Sequence, residues 1–441
     1  MEILYTILVA IVCLAIIRFT PYFSSTPLSM RWVQALFGLK LAAGIALGLV
    51  YTYHYTDRTT ADVFKYFDDG RTIHAVLQDS PSGYLRLVTG IGSDAAWLSP
   101  YLDDTQHWFK PYDHSMYNDN RTIIRFNAIL MLFSGGYFFV HTAILSFLSF
   151  AGTFAIFRFI RSHSTIPLSV CTACVFLLPS FLFWTSGLLK EGLLIFGLGF
   201  LVLSADRIVR IGPSFRSLLC LLLSTALLAL TKYYVLASIA PGLIILAIAT
   251  RYPRHKYLVA IAVHLALAVA LLANSTWPTG TDIVNSIACK RNDFISFAAS
   301  LPDVGGLIPM HKIEIGFWPL IAELPTALYH AFAQPLPWSK VSTLSMLPLA
   351  ENALLVLMLI LCATYRRRPV THIPALLMWF SFTVILYAIS GLTTPVVGAL
   401  VRYKAPAMPF LFAALANLID WDRTPLQRTM KYFDRKLMQP N

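Results

Sequence analysis

Charge is what this chain has least of: 13% of its 441 residues are charged and 57% are apolar. A soluble fold of that length could not cover its surface with so few polar groups, which excludes a water-soluble globular protein. Cysteine is also scarce. The six present lie mostly inside apolar runs, and the close pair Cys171 and Cys174 has no second pair to complete a metal site, so it reads as packing. A glycine-rich phosphate loop and an internal repeat are missing too, and the apolar runs leave no stretch for a separate soluble domain. The first residues, Met1 to Ile17, are similar to a signal h-region. They lack a basic n-region, and Arg18 stands where a small-residue cleavage site would be, so they read as a true span.

What the chain does have is apolar length. Runs near 3–17, 33–53, 137–157, 167–186, 189–205, 217–231, 234–250, 257–273, 348–365, 371–390 and 405–419 come close to the roughly 20 residues a bilayer crossing takes. The expectation is an all-α, polytopic membrane helical bundle of about eleven spans, a single integral membrane domain over 1–441. Two long stretches are left outside the membrane: a first outer loop, 52–136, and a second, 274–346.

The net charge of +12 comes from basic residues spread through short loops, which excludes a nucleic-acid partner and points instead to topology. Arg18 and Arg31, Arg158 and Arg161, Arg207 to Arg216, Arg251 to Lys256, Arg366-Arg367-Arg368 and Arg423 to Lys436 lie between alternate runs. All are cytoplasmic at once if the N-terminus is outside and the C-terminus inside, in a multi-pass protein of the cytoplasmic (inner) membrane. The remaining polar clusters then share the outer face.

In the first outer loop, His54 to Gly70 has helical spacing, with Val63, Phe64 and Phe67 on one face and Asp62, Lys65, Tyr66 and Asp69 on another. Such a helix lies at the interface, with its carboxylates toward water or protein. A structural reading is open for Asp62: Thr59 caps the helix and Asp62, three residues on, complements its dipole. Capping does not explain Asp57, Asp68 and Asp69 at the same membrane edge, and burial there would raise a carboxyl toward general-base use. Asp103-Asp104 and Asp113-His114 have no diagnostic metal-ligand spacing. Arg121 and Arg125, one turn apart, suit either a substrate phosphate or lipid headgroups.

Lys190-Glu191 opens a helix at or below the outer interface, where ionisable groups are costly and usually functional. A local neutralising pair is the structural alternative. Lys232 lies beside Tyr233 and Tyr234, which also suit interfacial anchoring. Arg402, Tyr403 and Lys404 stand before the last span, with Pro406 and Pro409 tolerated in its first turns. Between 274 and 346, Phe317 to Phe332 contains Pro319, Glu323 and Pro325 and reads as an interfacial or re-entrant helix. Lys40 can snorkel toward the cytoplasm, and His264 reads as packed.

Many spans, an acid-bearing first outer loop beside an interfacial helix, and a late Arg402-Tyr403 followed by Pro406-x-x-Pro409 resemble the polytopic GT-C glycosyltransferases. These include the protein mannosyltransferase and lipid A aminoarabinose transferase families. Pro179 to Glu191 is also similar to a segment of uncharacterised bacterial membrane proteins near that group. The resemblance implies a GT-C-like fold and transfer of a sugar from a polyprenyl-phosphate carrier, outside the cytoplasm, to a glycan, lipid or protein acceptor. It implies Asp62 as base with Asp57 as competitor, and a phosphate clamp of Arg402 assisted by Lys190. Asp69, Glu191, Lys232, Tyr403, Lys404, Arg121 and Arg125 complete the candidate site.

The chain departs from that group in an extra span before the acidic loop and in lacking a tight Asp-Glu pair, so the identity of the base stays open. It also lacks the terminal soluble domain by which several relatives choose acceptors. The donor is a lipid-linked sugar within the membrane lipid; no nucleotide is needed and a divalent metal stays open. The rival readings are an O-antigen-type polysaccharide polymerase and a glycolipid transporter or flippase.

Overall fold

The computed structural model describes residues 1–54, 58, 61–109, 117–276, 282–300, 306–337 and 345–438, and these are all-helical apart from isolated β-bridges. The chain starts with α1 (Glu2–Phe19), the short α2 (Pro21–Ser24) and α3 (Met30–Tyr53). The first outer stretch contributes α4 (Asp62–Asp79), α5 (Pro81–Thr89) and α6 (Asn120–Ser134), which then turns into α7 (Phe138–Ser162). That turn uses Gly135 at φ 65° and Gly136 at φ 72°, a left-handed pair that only glycine adopts without a steric cost.

Next come α8 (Leu168–Phe176), α9 (Pro179–Trp184), α10 (Lys190–Ile211), α11 (Phe215–Arg251) and α12 (Lys256–Thr276). The second long stretch holds α13 (Ile283–Ser300), α14 (Phe317–Ala322) and α15 (Leu324–Ala333). The chain ends with α16 (Met346–Thr364), α17 (Ile373–Thr393), α18 (Val397–Lys404), α19 (Met408–Asn417) and α20 (Gln427–Leu437).

Among the described residues eight helices are long and apolar enough to cross a bilayer, so this is a multi-pass membrane protein. The expected figure was eleven, and three departures from straight helices account for the difference. The segment 167–186 is divided into α8 and α9, because Pro179 lacks an amide donor and holds Leu178 in extended backbone (φ −67°, ψ 118°). The last run, 405–419, opens with a 3₁₀ turn at Ala405–Ala407 containing Pro406, which leaves only the ten residues of α19 as α-helix.

The third departure is α11, whose 37 residues would reach about 55 Å if straight, well beyond a ~30 Å hydrocarbon core. It breaks at Lys232 (φ −150°, ψ 85°). Leu227 and Leu228, before the break, pack against Gly197 of α10, and Gly242, after it, packs against Met378 of α17. Lys232 is therefore the bend between two arms.

The core lies where α7, α10, α17 and α19 meet, with Phe154, Phe157, Phe176, Trp379 and Phe410 buried together. A Cβ on Gly199 would collide with the Gly152 carbonyl, so α7 and α10 approach backbone to backbone. The same contact recurs between Gly391 of α17 and Ala327 of α15, which seats the expected re-entrant segment as two short helices, α14 and α15. Lys40 does not snorkel: it is 2% exposed and donates to Thr185 Oγ1 at 2.7 Å, beneath the Phe181 ring. His264 is not packed in the core: it is exposed on α12, with Nε2 3.0 Å from Ser381 Oγ. Cys171 and Cys174 are buried free thiols of the core.

Candidate functional site

α4 lies on α6, and its face of Val63, Phe64 and Phe67 is covered; Phe64 and Phe67 meet Phe138 of α7 at 5.1 and 5.4 Å. The aromatic face therefore packs on protein, not lipid. Its first residue is Asp62, preceded by Ala61 as N-cap with no side-chain cap bond. The expected cap, Thr59, lies outside the described residues, as does Asp57. With the helix starting at Asp62, the carboxylate is free to reach another part of the chain.

It reaches Arg402. Nη1 of Arg402 donates to Asp62 Oδ2 at 2.8 Å, while Nε and Nη2 grip Glu191 Oε1 and Oε2 at 2.5 and 3.0 Å. That two-pronged fork is the strong geometry for arginine and carboxylate. Lys232 Nζ donates to the same Glu191 Oε1 at 2.6 Å. Glu191 is wholly buried and Lys232 is 4% exposed. A carboxylate so deep is tolerable because two cations surround it; removing either would leave buried charge unpaired. The break in α11 places Lys232 there, since only a bend presents its ammonium to the first turn of α10.

Lys190 points to a neighbouring set. Its Nζ donates to Asp119 Oδ2 at 2.6 Å and Asn120 Oδ1 at 2.8 Å, and Tyr66 donates to that same Asn120 oxygen at 3.1 Å. Adjacent Lys190 and Glu191 are thus not a local neutralising pair; each has partners on other elements. Tyr403 lies under Lys232, whose Nζ is 4.5 Å from the ring centroid, and packs edge-on to Tyr234 at 6.2 Å. Beyond these tyrosines is a cavity lined by Tyr233, Tyr234, Lys290, Ser390 and Tyr403, with Lys290 Nζ 5.4 Å from the Tyr234 ring. The buried hydroxyls of Tyr234 and Ser390 on its lining have no hydrogen-bond partner among the described residues.

The remaining candidates stand elsewhere. Lys404 is two residues beyond Arg402, roughly 200° around the helix, and donates to the carbonyls of Ala331 and Gln334 at 2.8 and 3.2 Å. It fixes α15 and has no contact with Asp62 or Glu191. Arg121 holds the Trp108 carbonyl at 3.0 Å and Asp94 at 2.8 Å; Arg125 holds the Leu87 carbonyl at 2.8 Å and Tyr117 at 2.9 Å. Both tie down the first outer stretch, with Trp108 between them, instead of reaching the cluster.

Asp69 also stands apart from the cavity. It is 1% exposed and accepts the backbone N–H groups of Gln106 and His107, both at 2.8 Å, so it orders a loop and does not face the cavity.

Sequence reasoning missed His107. Its Nε2 is 3.3 Å from Asp62 Oδ1 and its ring is 5.3 Å from that of Tyr66. The only local signal was a histidine among aromatics in a loop, which does not separate a site residue from a packed one.

The electrostatics of the two acids of α4 diverge. Burial alone would push Asp62 up, but the His107 hydrogen bond and the Arg402 charge outweigh it and hold the carboxyl well below the ordinary range. Asp69 moves up, because burial outweighs the amides that it accepts from Gln106, His107 and Trp108. Expecting Asp62 itself to be raised toward general-base use fails for this reason. Among the described residues no group of three His, Cys, Asp or Glu side chains is placed to hold a metal ion; Asp113-His114 lies outside them. No described protein family, curated protein or solved structure matches the chain.

Proposed function

We propose that this protein is a GT-C-like glycosyltransferase that moves a sugar from a polyprenyl-phosphate carrier to a glycan, lipid or protein acceptor on the extracytoplasmic face. One observation carries the reading: Arg402 and Lys232 are gathered with Asp62 and Glu191 beside a tyrosine-walled cavity, with Lys190 next to them on Asp119 and Asn120, at the end of α10 opposite Arg207 and Arg210. Under the positive-inside rule, the Arg207 end is cytoplasmic and the cluster faces outward.

A polyprenyl-phosphate leaving group needs cations where charge develops and an apolar approach for its lipid. The arginine fork and Lys232 supply the first, and the cavity at Tyr233, Tyr234 and Tyr403 supplies the second. No nucleotide is needed, because the lipid carrier already holds the activated sugar. Lys40, buried inside a span and donating to Thr185, is the observation that favours a transporter.

The test is release of polyprenyl phosphate from labelled lipid-linked sugars by the purified protein, beside Asp62→Asn and Arg402→Ala. Release by wild type that both variants lose is the expected result. Full turnover by both variants would remove the site assignment, and lipid crossing without bond cleavage would favour the transporter.

A further inference from the structure

The arrangement around Asp62 presents a difficulty for the base. A general base must be able to take up a proton near the working pH, and a carboxylate already bound by an arginine is poorly suited to that. Arg402 Nη1 occupies one Asp62 oxygen at 2.8 Å, and His107 Nε2 stands at the other at 3.3 Å.

The histidine is held from several directions. Its backbone N–H donates to Asp69 Oδ2 at 2.8 Å, its carbonyl accepts from Asn118 Nδ2 at 3.1 Å, and its ring lies against Tyr66. Asp69 and Asn118 are both buried, and the fixing contacts are to backbone, so they set where the ring sits without using its nitrogens. The imidazole itself is 23% exposed, open enough to meet an acceptor and pass a proton to water.

Resting on the glycosyl-transfer reading, we propose that His107 is the proton acceptor of the reaction, with Asp62 as the carboxylate that orients it and stabilises its charged form. With Nε2–H donated to Asp62, Nδ1 carries the lone pair. As the acceptor hydroxyl attacks the anomeric carbon, its proton passes to Nδ1. The bond from the anomeric carbon to the phosphate oxygen breaks, and its electron pair leaves on the phosphate beside Arg402 and Lys232. The resulting imidazolium is paired with Asp62 and returns its proton to water.

Carboxylate, histidine and reacting hydroxyl in that order is the division of labour that serves hydrolytic triads on unrelated folds. Among the described residues, the charged and titratable groups around the histidine are Asp62 and Tyr66 from α4, Arg402 behind Asp62, and Asp69 at its backbone. Asp69 is thereby a positioning residue, which gives a buried carboxylate in a loop-ordering role its place in the site.

The experiment compares wild type, His107→Gln and His107→Ala in full-length protein, reading the rate of polyprenyl phosphate release, the apparent donor KM and the pH profile. His107→Gln is expected to lower kcat by about 10²–10⁴-fold with donor KM within a few-fold. The acid limb of the wild-type kcat/KM profile is expected to be absent from the residual activity. Added imidazole is expected to restore turnover to His107→Ala, a rescue that a purely structural role would not give. Activity of His107→Gln within threefold of wild type, or a limb that stays in place, would overturn the assignment while leaving glycosyl transfer standing. A wild type that releases no polyprenyl phosphate would overturn both.

Discussion

Two buried ion clusters lie at opposite ends of α10, and they are built differently. At the far end Asp206, 1% exposed, accepts from His163 Nε2 at 2.6 Å and from Arg210 at 2.5 Å, the latter one turn away on the same helix. Its partners come from α10 and the end of α7, and its cation is 44% exposed. At the near end Glu191 is met by Lys232 from the bend of α11 and by Arg402, which arrives 211 residues later and also takes Asp62 from α4.

Both clusters neutralise a buried acid, but only one assembles four distant segments beside a cavity whose lining has unpartnered hydroxyls. A cluster that served packing alone could be made as locally as that of Asp206. The long-range one holds α4, α10, α11 and α18 in one geometry, as a reaction with several contacts requires.

Arg402→Ala should have the largest effect. It leaves Glu191 buried with one cation fewer and should destabilise the fold by about 3–5 kcal/mol and abolish polyprenyl phosphate release. Thermal unfolding in detergent and the release assay together check this; an unchanged melting temperature would place the near cluster with the far one. Glu191→Gln is the next largest. It keeps the shape but brings Arg402 and Lys232 together without their shared anion, and a loss of about 1.5–3 kcal/mol is expected in the same measurement.

Arg210→Ala at the far end should cost no more than about 1 kcal/mol and leave turnover unaltered, because its partner retains His163 and the guanidinium is half in solvent. The smallest effect sharpens the role of Asp62. A carboxyl held below its unfolded value, about 3.9, contributes stability that is present above that pH and lost as pH falls through the folded value. The melting difference between wild type and Asp62→Asn should therefore not shrink from about pH 8 to pH 5. A difference that collapses in that window would mean that Arg402 does not hold Asp62. With the side chain 39% exposed, the difference itself should be modest.

Particular residues mark how far the sequence was legible. Glu191, Lys232 and Arg402 stood out because each ionisable group sits at the edge of an apolar run, where desolvation is costly enough to demand a partner. Arg121 and Arg125 carried the same chemical signal and turned out to hold backbone carbonyls of their own loop. Nothing in their spacing separates those outcomes, since a guanidinium suits a carbonyl and a phosphate alike. Lys404 was grouped with Arg402 by adjacency, and helical rotation carries it to the opposite side. His107 lay in a loop without periodicity, so no pattern could point to it.

From the sequence alone came the membrane character, the helical class, and the short list of ionisable groups too deep to be idle. Each depends on the composition of one run or on charge next to it, and transfer from water to lipid acts on such local content. The tertiary structure alone decided that Arg402 meets both Glu191 and Asp62, that α11 bends to deliver Lys232, and that a loop histidine completes the set. Those pairings depend on where helices far apart in the chain cross, and crossing is fixed by side-chain and glycine contacts such as Gly152 on Gly199, which no single segment encodes.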